Sequence, residues 1–115
     1  MQSECIGKLL STSRDVTTLR WEPFREGIEI SRLLTSDDGP SAAFVRYRAG
    51  ASLARHRHSG WEYILILSGS QLDESGVHSA GELLVHPPQS SHSVSSEDGC
   101  VVLAIWEKPV VFEEG

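Results

Sequence analysis

The sequence is poor in cysteine and in basic residues and has no long apolar run, and each shortage argues against a class of protein. Its 115 residues include only two cysteines, Cys5 and Cys100, so no disulfide framework is indicated and a cytoplasmic location is expected. Ten basic residues stand against sixteen acidic ones, a formal net charge of −6. This balance argues against nucleic acid as a partner, because phosphate binding needs a basic surface. No window approaches the roughly 18 apolar residues of a membrane span, and no secretion signal is recognisable, so no membrane association is expected.

Helical periodicity is missing as well, since no helical pattern persists over about ten residues. The chain is instead divided into short β-branched or alternating segments by turn residues such as Ser36-Asp37-Asp38-Gly39-Pro40. We expect strands over 16–21, 27–35, 41–48, 52–58, 61–68, 82–86, 92–96 and 100–108, with a hairpin over 69–81 that turns near Glu74 to Gly76. Short strands at this spacing predict an all-β sandwich or barrel.

The length suits one domain with its own core and is too short for two. Residues 1–15 have the weakest pattern and are predicted to form an N-terminal arm, followed by a single domain over 16–115. Cys100 opens an apolar run and is expected to be a small core residue. Trp21 and Trp106 are expected in the core or an interface, and Arg46 and Arg48 at exposed strand positions.

The segment HRHSGWEYILILSG, residues 56–69, carries the strongest chemical signal. His56 and His58 share a strand face because side chains alternate along a strand, and Glu62 has the same parity and leads the inward row of Ile64 and Ile66. Imidazole nitrogen and carboxylate oxygen suit first-row divalent metals. A polar cluster satisfied by hydrogen bonds is the competing interpretation. His92 follows the turn PPQSS and can approach from a distant segment, whereas His78 is expected in a solvated hairpin turn and His86 at an exposed strand end.

This spacing resembles the first motif of the cupin superfamily at Gly50, His56, His58, Glu62 and Gly69. The second cupin motif is matched at Gly81, Pro87 and His92, but Gln89 and Ser96 stand where glycine and asparagine are usual. The resemblance covers roughly residues 40–106 and implies a jelly-roll (double-stranded β-helix, RmlC-like) barrel. It also implies one divalent metal, Zn, Fe, Mn or Ni, held by His56, His58, Glu62 and His92.

The segments LDESG and LVHPPQSSHSVSSEDGC look most like the cupin domain of ChrR-type anti-sigma factors and their stand-alone relatives. This chain has His86 where that group usually has asparagine. It also has Trp61 beside the ligand glutamate, which we expect to reshape the pocket. The helical sigma-binding segment of ChrR-type proteins is not recognisable in residues 1–15, so sigma-factor sequestration by this chain alone is not expected.

The sequence leaves three functions open. The first is a small metal-binding cupin with dioxygenase-type activity on a small oxygenated compound. The second is a non-catalytic module that senses a ligand or an oxidant and acts through a partner. The third is a structural cupin used for dimerisation. Whether the protein is an enzyme is left open, and a small-molecule ligand and a homodimer are the expected partners, the homodimer because cupins commonly pair their N-terminal strands.

Overall fold

The computed structural model describes residues 19–113, and these residues form ten β-strands. The strands are β1 Glu22–Arg25, β2 Ile28–Leu34, β3 Ser41–Tyr47, β4 Ala51–His58, β5 Glu62–Asp73, β6 Gly76–Ser79, β7 Leu83–His86, β8 Ser91–Ser96, β9 Cys100–Trp106 and β10 Val110–Phe112. Within these residues no helix has the length and apolarity needed to cross a membrane. The predicted N-terminal arm, residues 1–15, lies outside the described part of the chain.

All strand pairs are antiparallel and follow the order β1-β2-β3-β9-β5-β8-β4-β10, while β6 and β7 also pair with β5. The long strand β5 belongs to both faces of the curled sheet, because its first half pairs with β7 and β9 and its second half with β6 and β8. This arrangement confirms the predicted all-β class and the cupin jelly-roll barrel. The predicted hairpin is also present, since Asp73 pairs with Gly76 across the β5–β6 turn.

The inward row predicted for β5 is confirmed. Glu62, Ile64 and Ile66 are all buried, and they alternate with the exposed or half-buried Tyr63 and Leu65. Ile66 packs in a core with Ile28, Ile30, Val45, Val94, Val102 and Ala104. Burying one isoleucine side chain stabilises a fold by about 1.5–3 kcal/mol, so this core holds both faces of the barrel together. Cys100 is buried in the same core, as predicted, and burial raises the pKa of its thiol to about 11.

Some strand bounds differ from the sequence-based expectation. Residues 19–21 of the predicted strand 16–21 are not in a strand, and residues 16–18 lie outside the described part of the chain. The first strand within residues 19–113 is Glu22–Arg25, and its Pro23 is tolerated because β1 lies at the edge of the sheet that these residues form. The last strand, Val110–Phe112, was not predicted, because three residues carry too little pattern to be recognised.

Candidate metal centre

The side chains of His56, His58, Glu62 and His92 are all buried and face one another inside the barrel. His56 and His58 lie on β4, Glu62 begins β5 and His92 lies on β8. The β4–β8 register places His56 directly opposite His92, which brings together residues 36 positions apart in the chain. The ligand atoms of these four residues all lie within 4.8 Å of one another, and this is the set that the cupin resemblance implies.

The distances between individual atoms suit a shared ion. His56 Nε2 lies 3.0 Å from His92 Nε2, and His58 Nε2 lies 2.9 Å from Glu62 Oε1. His92 Nε2 lies 3.9 Å from the same Glu62 oxygen. Two atoms that each bind one ion at about 2.1 Å can be at most about 4.2 Å apart. All three distances meet that limit.

The outer nitrogens of His56 and His58 fix which inner nitrogens carry lone pairs. His56 Nδ1 donates to the carbonyl oxygen of Ala54 at 2.9 Å. Ser90 Oγ donates its one hydrogen to Pro87 O, so it must accept from His58 Nδ1 at 2.9 Å. In the neutral imidazoles both Nε2 atoms are therefore acceptors that point into the centre.

A hydrogen bond among the inner atoms joins only His92 Nε2 and His56 Nε2, which are 3.0 Å apart. His58 Nε2 has no hydrogen-bond partner among the described residues, although the acceptor Glu62 Oε1 is close to it. A hydrogen bond from His92 Nε2–H to His56 would leave the lone pair of His92 Nδ1 facing Asp73 Oδ2, 3.6 Å away. A cation at the centre would remove both conflicts. It would bind the lone pair of His58 Nε2 together with Glu62 Oε1, and it would let His92 carry its proton on Nδ1, where the N–H faces the Asp73 carboxylate. The donor set therefore fits a metal better than a hydrogen-bonded cluster.

Glu62 is oriented by Trp106, whose indole Nε1 donates to Glu62 Oε2 and leaves Oε1 directed at the centre. The two residues meet because Glu62 pairs with Trp106 in the β5–β9 register. The sequence predicted a core or interface position for Trp106 but not this hydrogen bond. Burial by itself raises the pKa of Glu62, but contacts with His58 and His86 and the Trp106 hydrogen bond outweigh burial and lower the pKa.

His56 and His92 are held in the neutral form that metal binding requires. Burial lowers the pKa of His56, partly offset by its hydrogen bond to Ala54 and the Glu62 charge. Burial and the neighbouring imidazoles of His56 and His86 lower the pKa of His92 to about 4. At neutral pH His56 and His92 are therefore neutral and Glu62 is a carboxylate, and with His58 they form a set of three imidazoles and one carboxylate. This donor set suits Zn, Fe, Mn or Ni and does not select among them.

The expectation of an exposed His86 is wrong. Its ring stacks on His58 with centroids 5.1 Å apart, and its centroid is 4.5 Å from that of His92. The outward side chains of β7 are Leu83 and Val85, both exposed, so His86 faces inwards. Because β7 carries apolar residues on both faces, the sequence alone did not fix which face is buried. The cross-strand pairing of His86 with Glu62 decides it.

Two other expectations about nearby residues are also wrong. His78 lies in strand β6 rather than in the hairpin turn, and its side chain is half-buried and contacts Asp73 Oδ1 at 3.2 Å. Trp61 faces outwards with 42% exposure and does not line the inner cavity, so it does not reshape the pocket. Asp73, which the sequence analysis had not singled out, lies between His78 and His92.

An inner cavity of about 40 Å³ adjoins His56, Glu62 and His92 and is otherwise lined mainly by apolar residues. One water molecule needs about 10–15 Å³ on the same measure, so the cavity accommodates roughly three. Typical pockets for drug-sized ligands are at least about 300 Å³. In this state the cavity holds only a very small ligand, and a diketone would enter only if the cavity widened.

The departures from the second cupin motif have local explanations. Gln89 adopts a positive φ of 74°, the left-handed conformation that favours the usual glycine. Its side chain accepts from Arg57 at 3.1 Å. Ser96 is buried and donates to Ser70 O at 2.6 Å. Neither departure removes a ligand atom from the centre.

Comparisons with known proteins agree with this architecture. A chain in the crystal structure of Rhodobacter sphaeroides SigE in complex with the anti-sigma ChrR superposes with a TM-score of 0.74 at 25% identity, over 83% of this chain and 53% of that one. A putative acetylacetone dioxygenase from Methylibium petroleiphilum superposes with a TM-score of 0.78 at 17% identity, over 99% of this chain and 85% of that one. The second likeness shows the fold alone.

Sequence comparison identifies the family. The anti-sigma-E factor ChrR of Cereibacter sphaeroides is 27% identical over 101 residues, which are 86% of this chain. The chain spans about half, 47%, of the length of that curated relative. The family model of the ChrR cupin-like domain matches residues 11–109. The chain therefore belongs to the ChrR cupin-like domain family.

Proposed function

We propose that this protein binds one divalent transition metal through His56, His58, Glu62 and His92. The observation that carries the proposal is the convergence of four buried ligand-type groups around His58 Nε2, which has no hydrogen-bond partner among the described residues. A six-coordinate metal such as iron would keep two positions for a small exogenous ligand, as catalytic and sensing sites do, whereas four-coordinate zinc would be closed by these four residues.

Substitution of one ligand tests the proposal. His58→Ala should reduce metal content, measured by elemental analysis, to below about a tenth of the wild-type value, because it removes one ligand and opens a cavity beside the others. His78→Ala is the matched control, since His78 is half-buried and lies outside the four-residue set. Wild-type metal content in His58→Ala would rule out the assigned ligand set.

Dioxygenase-type activity on a small oxygenated compound is the first functional candidate. It is supported by the open coordination positions and by a three-histidine, one-carboxylate set that suits iron, which would supply redox chemistry towards dioxygen. The protein contributes a site sheltered from bulk water and a cavity that selects small substrates. Iron-loaded protein should consume oxygen with acetylacetone or a similar small diketone, measured with an oxygen electrode. Zinc-loaded protein should not, since zinc has no redox chemistry.

A non-catalytic sensing module is the second candidate. The family membership and the small size of the cavity favour it. In this case the native metal is tightly held zinc and no diketone is consumed. The metal found in protein purified without added metal, together with the oxygen measurement, separates the two candidates.

We also propose that the protein is a cytoplasmic homodimer. The cytoplasmic location is supported by the low cysteine content. The dimer is supported by an outward apolar row, whose exposed members are Trp61, Tyr63, Leu83, Val85 and Ile105. The strand register places Tyr63 beside both Val85 and Ile105, so these side chains form one surface. Contiguous apolar surfaces of this kind mark interaction sites.

A further inference from the structure

His86 presents a polar atom that the four-residue metal set leaves unexplained. Among the buried side-chain nitrogen and oxygen atoms of residues 19–113, only His58 Nε2 and His86 Nε2 have no hydrogen-bond partner. An unpaired buried polar group costs about 1–3 kcal/mol, so a partner is expected for each. The proposed ion is the partner of His58, and His86 needs a different one.

The surroundings of His86 show where the missing hydrogen-bond partner of its Nε2 would lie. His86 Nε2 is 3.9 Å from Glu62 Oε1, which is too far for a hydrogen bond. The ring is fixed by stacking on His58 and by contact with His92. The unpaired nitrogen therefore stands at the wall of the metal centre, beside the carboxylate oxygen that faces the ion.

His86 is not a member of the four-residue set, and its direct binding to the ion is an outcome that the experiment below tests. The four ligand residues share a mutual spacing within 4.8 Å, whereas His86 attains that spacing as part of a group with Asp73 and His92 alone. His86 thus stands just outside the ligand set. In this position His86 Nε2 would face a ligand bound beside the proposed ion.

We propose that His86 Nε2–H donates a hydrogen bond to a small ligand that binds at the metal centre. The ligand is small and presents an acceptor oxygen or nitrogen, as azide and small carboxylates do. The nearby Glu62 carboxylate favours Nε2 as the protonated nitrogen, because an N–H dipole pointing towards negative charge is stabilised. This inference rests on the proposed metal binding and adds a residue that selects the ligand.

Azide binding to cobalt-loaded protein, followed by visible absorption, tests the proposal. His86→Phe keeps a ring to stack on His58 and removes the donor. His86→Asn is a second removal variant, with a side chain too short to reach, and carries the test if His86→Phe does not fold. His78→Phe is the matched control, because the side chains of His78 and His86 are equally exposed, at 17%.

We expect azide to bind about tenfold more weakly to either His86 variant, as loss of a hydrogen bond to a charged ligand implies. Cobalt content should be unchanged in all variants, and azide affinity unchanged in His78→Phe. Wild-type azide affinity in the His86 variants would overturn the inference. Loss of cobalt from them, but not from His78→Phe, would also overturn it by making His86 a metal ligand. A wild-type protein that takes up no cobalt would instead refute the metal-binding proposal and this inference with it.

Discussion

At the scale of single residues, the candidate metal centre is defined by which nitrogen of each histidine already has a partner outside the centre. Ala54 O and Ser90 Oγ occupy the outer nitrogens of His56 and His58, and Asp73 faces that of His92. The ligand types and their spacing were predictable from the sequence, because strand alternation places His56 and His58 on one face. The supporting groups were not predictable, since Ser90 and Asp73 meet the histidines only through the fold.

The lowered pKa values of the buried histidines predict an acid-sensitive metal-free protein. The pKa of His92 falls from the ordinary 6.5 to about 4, so between these pH values the unfolded chain binds a proton that the folded chain does not. The free energy of unfolding is therefore highest above pH 6.5 and falls as the pH drops towards 4, by on the order of 3 kcal/mol from His92. Urea unfolding of chelator-treated protein at pH 7.5 and 4.5 measures this loss.

The matched variant for the acid-sensitivity prediction is His92→Asn, which lacks the titrating group. Its free energy of unfolding should depend less steeply on pH over the same range than that of the wild-type protein. An equal pH dependence in the two proteins would contradict the assignment of the effect to His92.

At the scale of strands and turns, the motif glycines act through backbone geometry rather than chemistry. Gly50, Gly69 and Gly81 all have positive φ values, of 86°, 74° and 93°. Gly69 also lies in close contact with the neighbouring chain, since a Cβ atom there would collide with Gly99 O. The spacing of the motif identified these glycines in the sequence. In the structure, packing requires glycine at Gly69, whereas at Gly50 and Gly81 only the positive φ favours it.

Gly69→Ala should therefore destabilise the protein much more than Gly50→Ala. At Gly50 no atom lies within 4 Å of an added Cβ, so the cost is backbone strain of about 1 kcal/mol. At Gly69 the strain is joined by a backbone clash, and a loss of about 3 kcal/mol or more is expected. Chemical denaturation of both variants measures the difference. Equal losses would show that the β5–β9 crossing tolerates a side chain.

Gln89→Gly should stabilise the turn before β8 by about 0.5–1 kcal/mol, because Gln89 is the only described non-glycine residue with positive φ. Part of the relief is offset by the greater entropy of glycine in the unfolded chain. Glu97→Gly, in an exposed turn without positive φ, is the control and should lower stability. A rise in the unfolding midpoint of Gln89→Gly is the expected readout, and a fall would mean that the Arg57 hydrogen bond outweighs the strain.

At the scale of the whole molecule, the outward apolar row is the surface on which the proposed homodimer is tested. Val85→Lys places a charge in its middle, beside Tyr63, and should shift the mass measured by light scattering from dimer to monomer. Val77→Lys is the control, since Val77 is 67% exposed and belongs to the β5–β6 hairpin rather than to the row. A dimeric Val85→Lys protein would place the interface elsewhere, and a monomeric wild type would refute the dimer.

The sequence by itself determined the strand class, the four ligand-type residues and the glycine positions, because alternation and turn chemistry are local properties of the chain. Only the tertiary structure decided that His86 faces the centre, that Trp106 orients Glu62 and that Trp61 points outwards. These facts depend on cross-strand register, which pairs Glu62 with both His86 and Trp106. Register is fixed by packing between segments far apart in sequence, and strands that are apolar on both faces do not reveal it beforehand.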